Sequence, residues 1–295
     1  MHLAPPPPPV GPISVQAARP SPASKCIKKT PRTARWLRSA WLLPVLAAAL
    51  ARSPVLRAQG REPAPVPRPV IVIDPGHPSE NGVGAQGHGV AEVHVAWEVA
   101  MRLRAELAAV GYDARVTRAA ERQTTRNAER ARVANDAGAA LMVRLHCDVG
   151  SGTGFTLYFP DRQGTAEGRT GPTRAVMDRS RKAALVLDSA MAAELAPRYL
   201  RDGGILGDSR TAIGARQGAL TASIFSRVPV VTVEMAVLTD AADARFIASP
   251  DGQRRMAHAI AAGIARYVPH LRHAERIRQS AAGMRRPPPE RGERR

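Results

Sequence analysis

Cysteine is scarce in this chain: Cys26 and Cys147 are the two present in 295 residues. Once a leader containing Cys26 is removed, one thiol remains, so an internal disulfide framework is excluded. Aromatic residues are nearly as rare, at 4%. The formal charge of +18 therefore lacks the interleaved stacking side chains of a nucleic-acid binder. The charge is also badly placed for that role. Residues 1–58 hold nine Lys/Arg and no acid, and residues 271–295 hold eight Lys/Arg against three Glu. The middle, 59–270, holds 26 bases against 22 acids and is nearly balanced. Nucleic acid is not an expected partner. No G-x-S-x-G is present, so the usual elbow of a serine hydrolase is missing.

Long apolar runs are missing too. "AWLLPVLAAALA", Ala40 to Ala51, has 12 residues, too short for a membrane span and suited to the core of a signal peptide. The basic stretch "SKCIKKTPRTARWLRS" precedes it, and Ala49-Leu50-Ala51 offers an A-x-A cleavage site, with a cut after Ala58 as the alternative. Pro-rich sequence on both sides argues against a buried helix. Met1 to Arg19, with its run of prolines, is a long extension ahead of a signal; the true start lies downstream or the segment is a disordered tail. There is no twin Arg, and no lipobox Cys follows the apolar run. The expectation is an exported, periplasmic or secreted protein with no transmembrane span in the mature chain, and a monomer.

Beyond the leader (1–58) and a Pro-rich linker (59–69), strands and helices alternate. Val70–Ile73 reads as a short buried strand. Glu92–Ala109 reads as a helix, with Val95, Val99, Leu103 and Leu107 repeating at i+4 and Glu98 paired to Arg102. Strands follow at Ala114–Thr117, Ala140–Leu145 and Gly154–Phe159, with a helix over Thr125–Ala137. A helix over Thr173–Leu200, a Gly-rich connector, a buried strand Val228–Glu234 and a helix Gln253–Tyr267 complete the pattern. This predicts an α/β fold of three layers, α/β/α, with a mostly parallel, mixed sheet in a single catalytic domain, 70–268. Residues 269–295 read as a basic disordered tail.

Chemistry-bearing residues fall just past strand ends: His77, His146 and Glu234. In open α/β sheets the carboxyl ends of strands share one edge, and sites form there. Glu92 opens the helix that leaves the same loop as His77, so the four side chains could converge. Two imidazoles and one carboxylate make a catalytic zinc set that leaves room for water, and a second carboxylate could move the proton. Each residue has a plainer reading. His77 could be a polar turn residue, and His146 a strand-end His bonded to backbone. Glu92 could serve the helix dipole while His88 or His94 ligates, although His94 lies about 200° around the helix from Glu92. Glu234 could sit in a salt bridge. Arg118 and Arg130 could hold an anionic substrate or pair structurally. Cys147 points away from His146 if the strand continues, which argues against a Cys–His hydrolase. "GVGAQG", Gly82–Gly87, matches G-x-G-x-x-G by letter but neither follows its strand directly nor reaches the helix.

In order along the chain stand "VIVIDPGH", "EVHVAWEVAMRLRAEL", "GYDARVTR", "RARVANDAGA", "LMVRLHCD" and "PVVTVEMAVLTD". Together, over roughly Val70 to Tyr267, they resemble the zinc-dependent N-acetylmuramoyl-L-alanine amidases of the family 3 type, which cleave bacterial peptidoglycan. The resemblance implies His77, Glu92 and His146 as ligands of one Zn2+ and Glu234 as catalytic base and acid. It implies the amide between N-acetylmuramic acid and L-alanine as the bond cut. The Pro75-Gly76 turn would set the angle of His77, with Asp74 supporting it from behind. An activator protein is the candidate protein partner. Departures from the family pattern are "PSENGVGAQGHGVAE" after the first His, Arg144 where a small Ser is usual, and Cys147-Asp148 after the second His. Those changes bear on substrate preference. The rival readings are another zinc peptidase or deacetylase on the same fold, and a non-catalytic peptidoglycan-binding module. The 160–222 segment is long for a βα connection and is expected to cover the site or dock a partner.

Overall fold

The computed structural model describes residues 67–283 except Pro197, with side chains described up to residue 269. The leader, its cleavage sites and most of the linker lie outside the described residues. The elements are β1 (Val70–Pro75), a small hairpin of β2 (Gln86–Gly87) and β3 (Val90–Ala91), α1 (Glu92–Ala109), β4 (Asp113–Val116), α2 (Asn127–Asp136), β5 (Leu141–Asp148) and β6 (Phe155–Phe159). A second hairpin, β7 (Gly164–Ala166) and β8 (Arg169–Gly171), leads into α3 (Arg174–Leu195). There follow β9 (Asp202–Gly207), a 3-10 turn Asp208–Arg210, α4 (Ala212–Gln217), α5 (Thr221–Phe225), β10 (Val230–Val237), α6 (Ala241–Ala248) and α7 (Pro250–Gly283).

Six strands form one sheet in the order β4-β1-β5-β10-β6-β9. β4, β1, β5 and β10 are mutually parallel; β6 is antiparallel to β10, and β9 is parallel to β6. This is the mostly parallel, mixed sheet with flanking helices that the strand–helix alternation predicts.

The two faces of the sheet differ, and the period-2 alternation of side chains separates them. Ile71, Ile73, Val143, Leu145, Cys147, Val231, Val233 and Leu157 belong to the main core, together with residues of α1, α3 and α7. Residues of the other parity start apolar: Val72, Met142 and Val230 pack with Ala134 of α2. One step further along each strand that face turns polar. Asp74, Arg144 and Thr232 stand side by side in register, and His146 pairs with Glu234 one step beyond. The strands therefore carry an apolar floor at their amino ends and a reactive edge at their carboxyl ends.

α1 begins and ends where the sequence predicts, and its i+4 row Val95, Val99, Leu103, Leu107 is buried. The Gly-rich connector is more ordered than expected. It holds the edge strand β9, where Gly203 is required because a Cβ would lie 2.3 Å from Thr156 Oγ1. Glycines placed by crowding look, in sequence, like glycines placed by turns. α3 is shorter than expected: it stops at Leu195, and Ala196, extended at φ −92° and ψ 148°, precedes a proline. It is also a core helix, with Leu187, Met191 and Leu195 fully buried, so the 160–222 segment is not a lid as a whole. α7 runs on to Gly283 instead of ending at Tyr267. "HLRHAERIRQSAA" is rich in helix formers, so the expected disordered tail from residue 269 is helical for its first part.

Candidate metal centre and cleft

The site begins with a buried charge. Asp74 has no exposure and sits where β1 ends. Its carboxylate accepts from Thr117 Oγ1 at 2.5 Å, Arg130 Nη1 at 2.7 Å and Arg144 Nε at 2.9 Å. Burial by itself pushes an acid up, but Arg130, Arg144 and Thr117 outweigh it and hold this carboxyl well below the usual range. Arg130, itself fully buried, spends its other N–H groups on the carbonyls of Pro75, Pro78 and Thr125. Arg118 does the same for Pro75, Gly76, Ala120 and Glu121, with its guanidinium 4.9 Å from the Trp97 ring. Of the two readings open for Arg118 and Arg130, the geometry supports the structural one: both are buried clamps on the 75–78 turn, and neither lines the cleft. Asp74 does not touch His77, contrary to its expected role. It acts through the arginines.

That clamped turn presents His77. Gly76 lies so close to the second imidazole that a Cβ there would be 2.5 Å from His146 Cε1. His77 takes φ 45°, a left-handed conformation uncommon for a side-chain-bearing residue. Its Nδ1 is 3.1 Å from the carbonyl oxygen of Gly82, which fixes the N–H there and leaves Nε2 free to face inward. Nε2 is 3.5 Å from Glu92 Oε1. His146, from β5, sets its Nδ1 2.9 Å from the same oxygen. Glu92 is held by the amides of Ala85 (2.6 Å to Oε2) and Cys147 (3.2 Å to Oε1). Burial opposes its ionisation, yet the hydrogen bond and charge of His146, the charge of His77 and the Ala85 amide keep it ionised below the usual range. The three ligand atoms lie within 4.8 Å of one another. Gly84 roofs the cluster at φ 95°, where a Cβ would stand 3.1 Å from both Glu92 Oε2 and His77 Cγ. Of the glycines that match a dinucleotide motif by letter, Gly84 is the one that lets backbone pass over this centre; Gly87 packs against the Leu238 backbone.

Two imidazoles and a carboxylate converging on one point, with a polar cleft in front, fit a divalent cation. Among the buried polar atoms without a partner are His146 Nε2, Glu234 Oε2 and Thr232 Oγ1. Glu234 enters from β10 in register with His146. Burial, then the charges of Glu92 and Asp148, push its carboxyl well up, against Arg144. A cation on the triad would offset that repulsion. The cleft of about 390 Å³ is lined by His77, Asn127, Arg144, His146, Thr232 and Glu234, with Arg210–Ile213 and Leu220–Thr221 forming the opposite wall. That wall is the part of the 160–222 segment that reaches the site.

The competitors fall away on geometry. His94 Nδ1 lies 3.2 Å from Glu121 on the exposed side of α1, and His88 Nε2 lies 3.1 Å from the Thr239 carbonyl. Cys147 is 5% exposed within the main core, and burial raises its thiol. Sequence reasoning passed over several cleft residues, among them Asn127, Thr232 and Arg210. Thr232, two residues before Glu234 in an otherwise apolar strand, carried a readable signal of alternation.

Fold and site together define an α/β protein with a candidate metal centre at the carboxyl edge of its parallel strands. The sequence profile of the family described as Amidase_3, N-acetylmuramoyl-L-alanine amidase, matches residues 71–266, and the chain belongs to this family. It is similar to "N-acetylmuramoyl-L-alanine amidase CwlM" of Mycobacterium tuberculosis, at 38% identity over 81 residues, 26% of this chain and 20% of that protein. The chain thus spans about a fifth of that relative. It is also similar to "N-acetylmuramoyl-L-alanine amidase Rv3717" of the same organism, at 26% identity over 243 residues, 74% of this chain and 94% of that one. The crystal structure of the N-acetylmuramyl-L-alanine amidase Ami1 from Mycobacterium smegmatis shares the fold, with a TM-score of 0.56, 24% identity, and coverage of 68% of this chain and 97% of that one.

Asp74→Asn removes the one charge that two buried guanidinium groups share. It is expected to cost about 3–5 kcal/mol in urea denaturation at pH 7. The sign with pH follows from the lowered carboxyl. The wild-type advantage is fully present above about pH 4 and lost as pH falls further, so the two stabilities converge in acid. A constant gap from pH 7 to pH 3 would contradict this account.

Proposed function

We propose that this chain is a zinc-dependent hydrolase of the amide between N-acetylmuramic acid and L-alanine in peptidoglycan, acting outside the cytoplasm. The observation that carries the reading is the convergence of His77, Glu92 and His146 within 4.8 Å, with half-buried Glu234 in register beside His146. Family membership supplies the bond. Export rests on the leader read in the sequence, and no helix among the described residues is long and apolar enough to cross a membrane.

His77, Glu92 and His146 would hold the ion. When bound, zinc supplies Lewis acidity, polarising the scissile carbonyl and acidifying water. The chain's own residues do the rest. Glu234 takes a proton from the attacking water, whose oxygen joins the lactyl carbonyl carbon. As the carbon–nitrogen bond breaks, Glu234 returns that proton to the departing nitrogen of L-alanine. The products are a lactyl carboxylate and a free peptide amine.

Residues 59–295 should carry about one zinc per chain, and His146→Ala should lose both metal and activity. Glu234→Gln should keep its metal while turnover of a muramoyl peptide falls by about 10²–10⁴-fold. Release of peptides beginning with L-alanine identifies the bond cut; release of D-alanine or acetate would assign the zinc peptidase or deacetylase reading instead. A well-folded wild type that takes up no zinc would point to a non-catalytic binding module.

A further inference from the structure

Arg144 is 4% exposed and lines the cleft beside the candidate centre. Two of its nitrogens are fixed: Nε donates to Asp74 and Nη2 donates to Asn127 Oδ1 at 2.7 Å. Among the described residues, Nη1 has no hydrogen-bond partner. Its one ion-pair partner, Asp74, is shared with Arg130, while the carboxyl groups of Asp208 and Glu234 feel its charge from further off. Thr232 faces Arg144 across the strand pair, 2% exposed, with Oγ1 unpartnered and the side chain in the cleft wall. Arg210, exposed on the opposite wall, makes no ion pair among the described residues. The cleft's acids Glu234 and Asp148 lie in the His146 row and beyond it, with Glu234 still within reach of Arg144's charge. Three donors with spare capacity thus line one cleft, and two of them, Arg144 and Thr232, are buried in a preformed frame that lowers the ordering cost of binding.

Spacing identifies the ligand. The Arg144–Thr232 row precedes the His146–Glu234 row by two strand residues, roughly 6.6 Å. In a stem peptide, two peptide units separate the carbonyl that is attacked from the α-carboxyl of the second residue, roughly 7 Å when extended. We propose that Arg144, with Thr232 and Arg210, forms a carboxylate subsite that selects stem peptides whose second residue keeps a free α-carboxylate. This rests on the amidase reading above. Arg144 is a specificity-determining residue here and takes no part in bond cleavage.

The test uses two soluble muramoyl tripeptides that differ only at the second residue, D-glutamate with its α-carboxyl free or converted to the carboxamide. Zinc-loaded wild type should favour the free acid by about tenfold or more in kcat/KM, chiefly through KM. Arg144→Gln should bring that ratio towards unity whatever it does to overall turnover. Thr232→Val, which keeps shape and loses the hydroxyl, and Arg210→Ala should each lower the ratio several-fold. Equal turnover of the two substrates by wild type would overturn the subsite and leave the amidase reading standing. Turnover of neither by the zinc-loaded protein would overturn the amidase reading itself. If Arg144→Gln does not fold, judged by circular dichroism, Thr232→Val decides: an unchanged ratio overturns the proposal.

Discussion

A single carboxylate with no access to water organises this site. Burying Asp74 is costly unless its charge is matched and its lone pairs are filled, and the matching groups come from different elements. Arg130 arrives from α2, Arg144 from β5 and Thr117 from the end of β4. Two of these donors do further work. Arg130 holds the carbonyls of the turn that carries His77, and Arg144 continues to Asn127 at the start of α2. The end of β1, the turn, the helix and the neighbouring strand are thereby referred to one point. The position of the first imidazole follows from that reference rather than from its own contacts.

The cleft's electrostatics divide in two. Around His146, the charges of Glu92 and Asp148 add to burial in raising the cost of ionising Glu234. Such a grouping is stable when a cation is shared among them. Beside it, Arg144 keeps one N–H group without a partner among the described residues. A substrate that brings a polarisable carbonyl to one end and an anion to the other complements both. The apolar rows beneath, Val72, Met142 and Val230, keep water from screening either.

Much of this could be read from residues alone, because the informative signals are local. The i+4 row of α1 gave its limits, and a histidine or glutamate directly after an apolar strand placed His77, His146 and Glu234. The arginines were harder. Arg118 and Arg130 have the same letters whether they bind substrate or clamp a turn, and only the fold shows their N–H groups consumed by backbone carbonyls. β9 was hidden by its glycines, of which Gly203 serves close packing against β6. The cleft wall at Arg210–Ile213 was unreadable, since its place depends on how α3 and β9 route the chain, a long-range property that no short window contains.

Cys147 has one more consequence. Its thiol lies in the main core, and burial, with the charges of Glu92 and Glu234, raises it well above the usual range. Thiolate is the reactive form, so this sulfur is chemically silent in the folded state. Described residues contain no other free thiol. The folded domain is therefore a natural blank for site-selective labelling: a cysteine introduced on either wall of the cleft would be the one group a maleimide dye could find, and the cleft's opening could be followed by fluorescence without first removing a native residue.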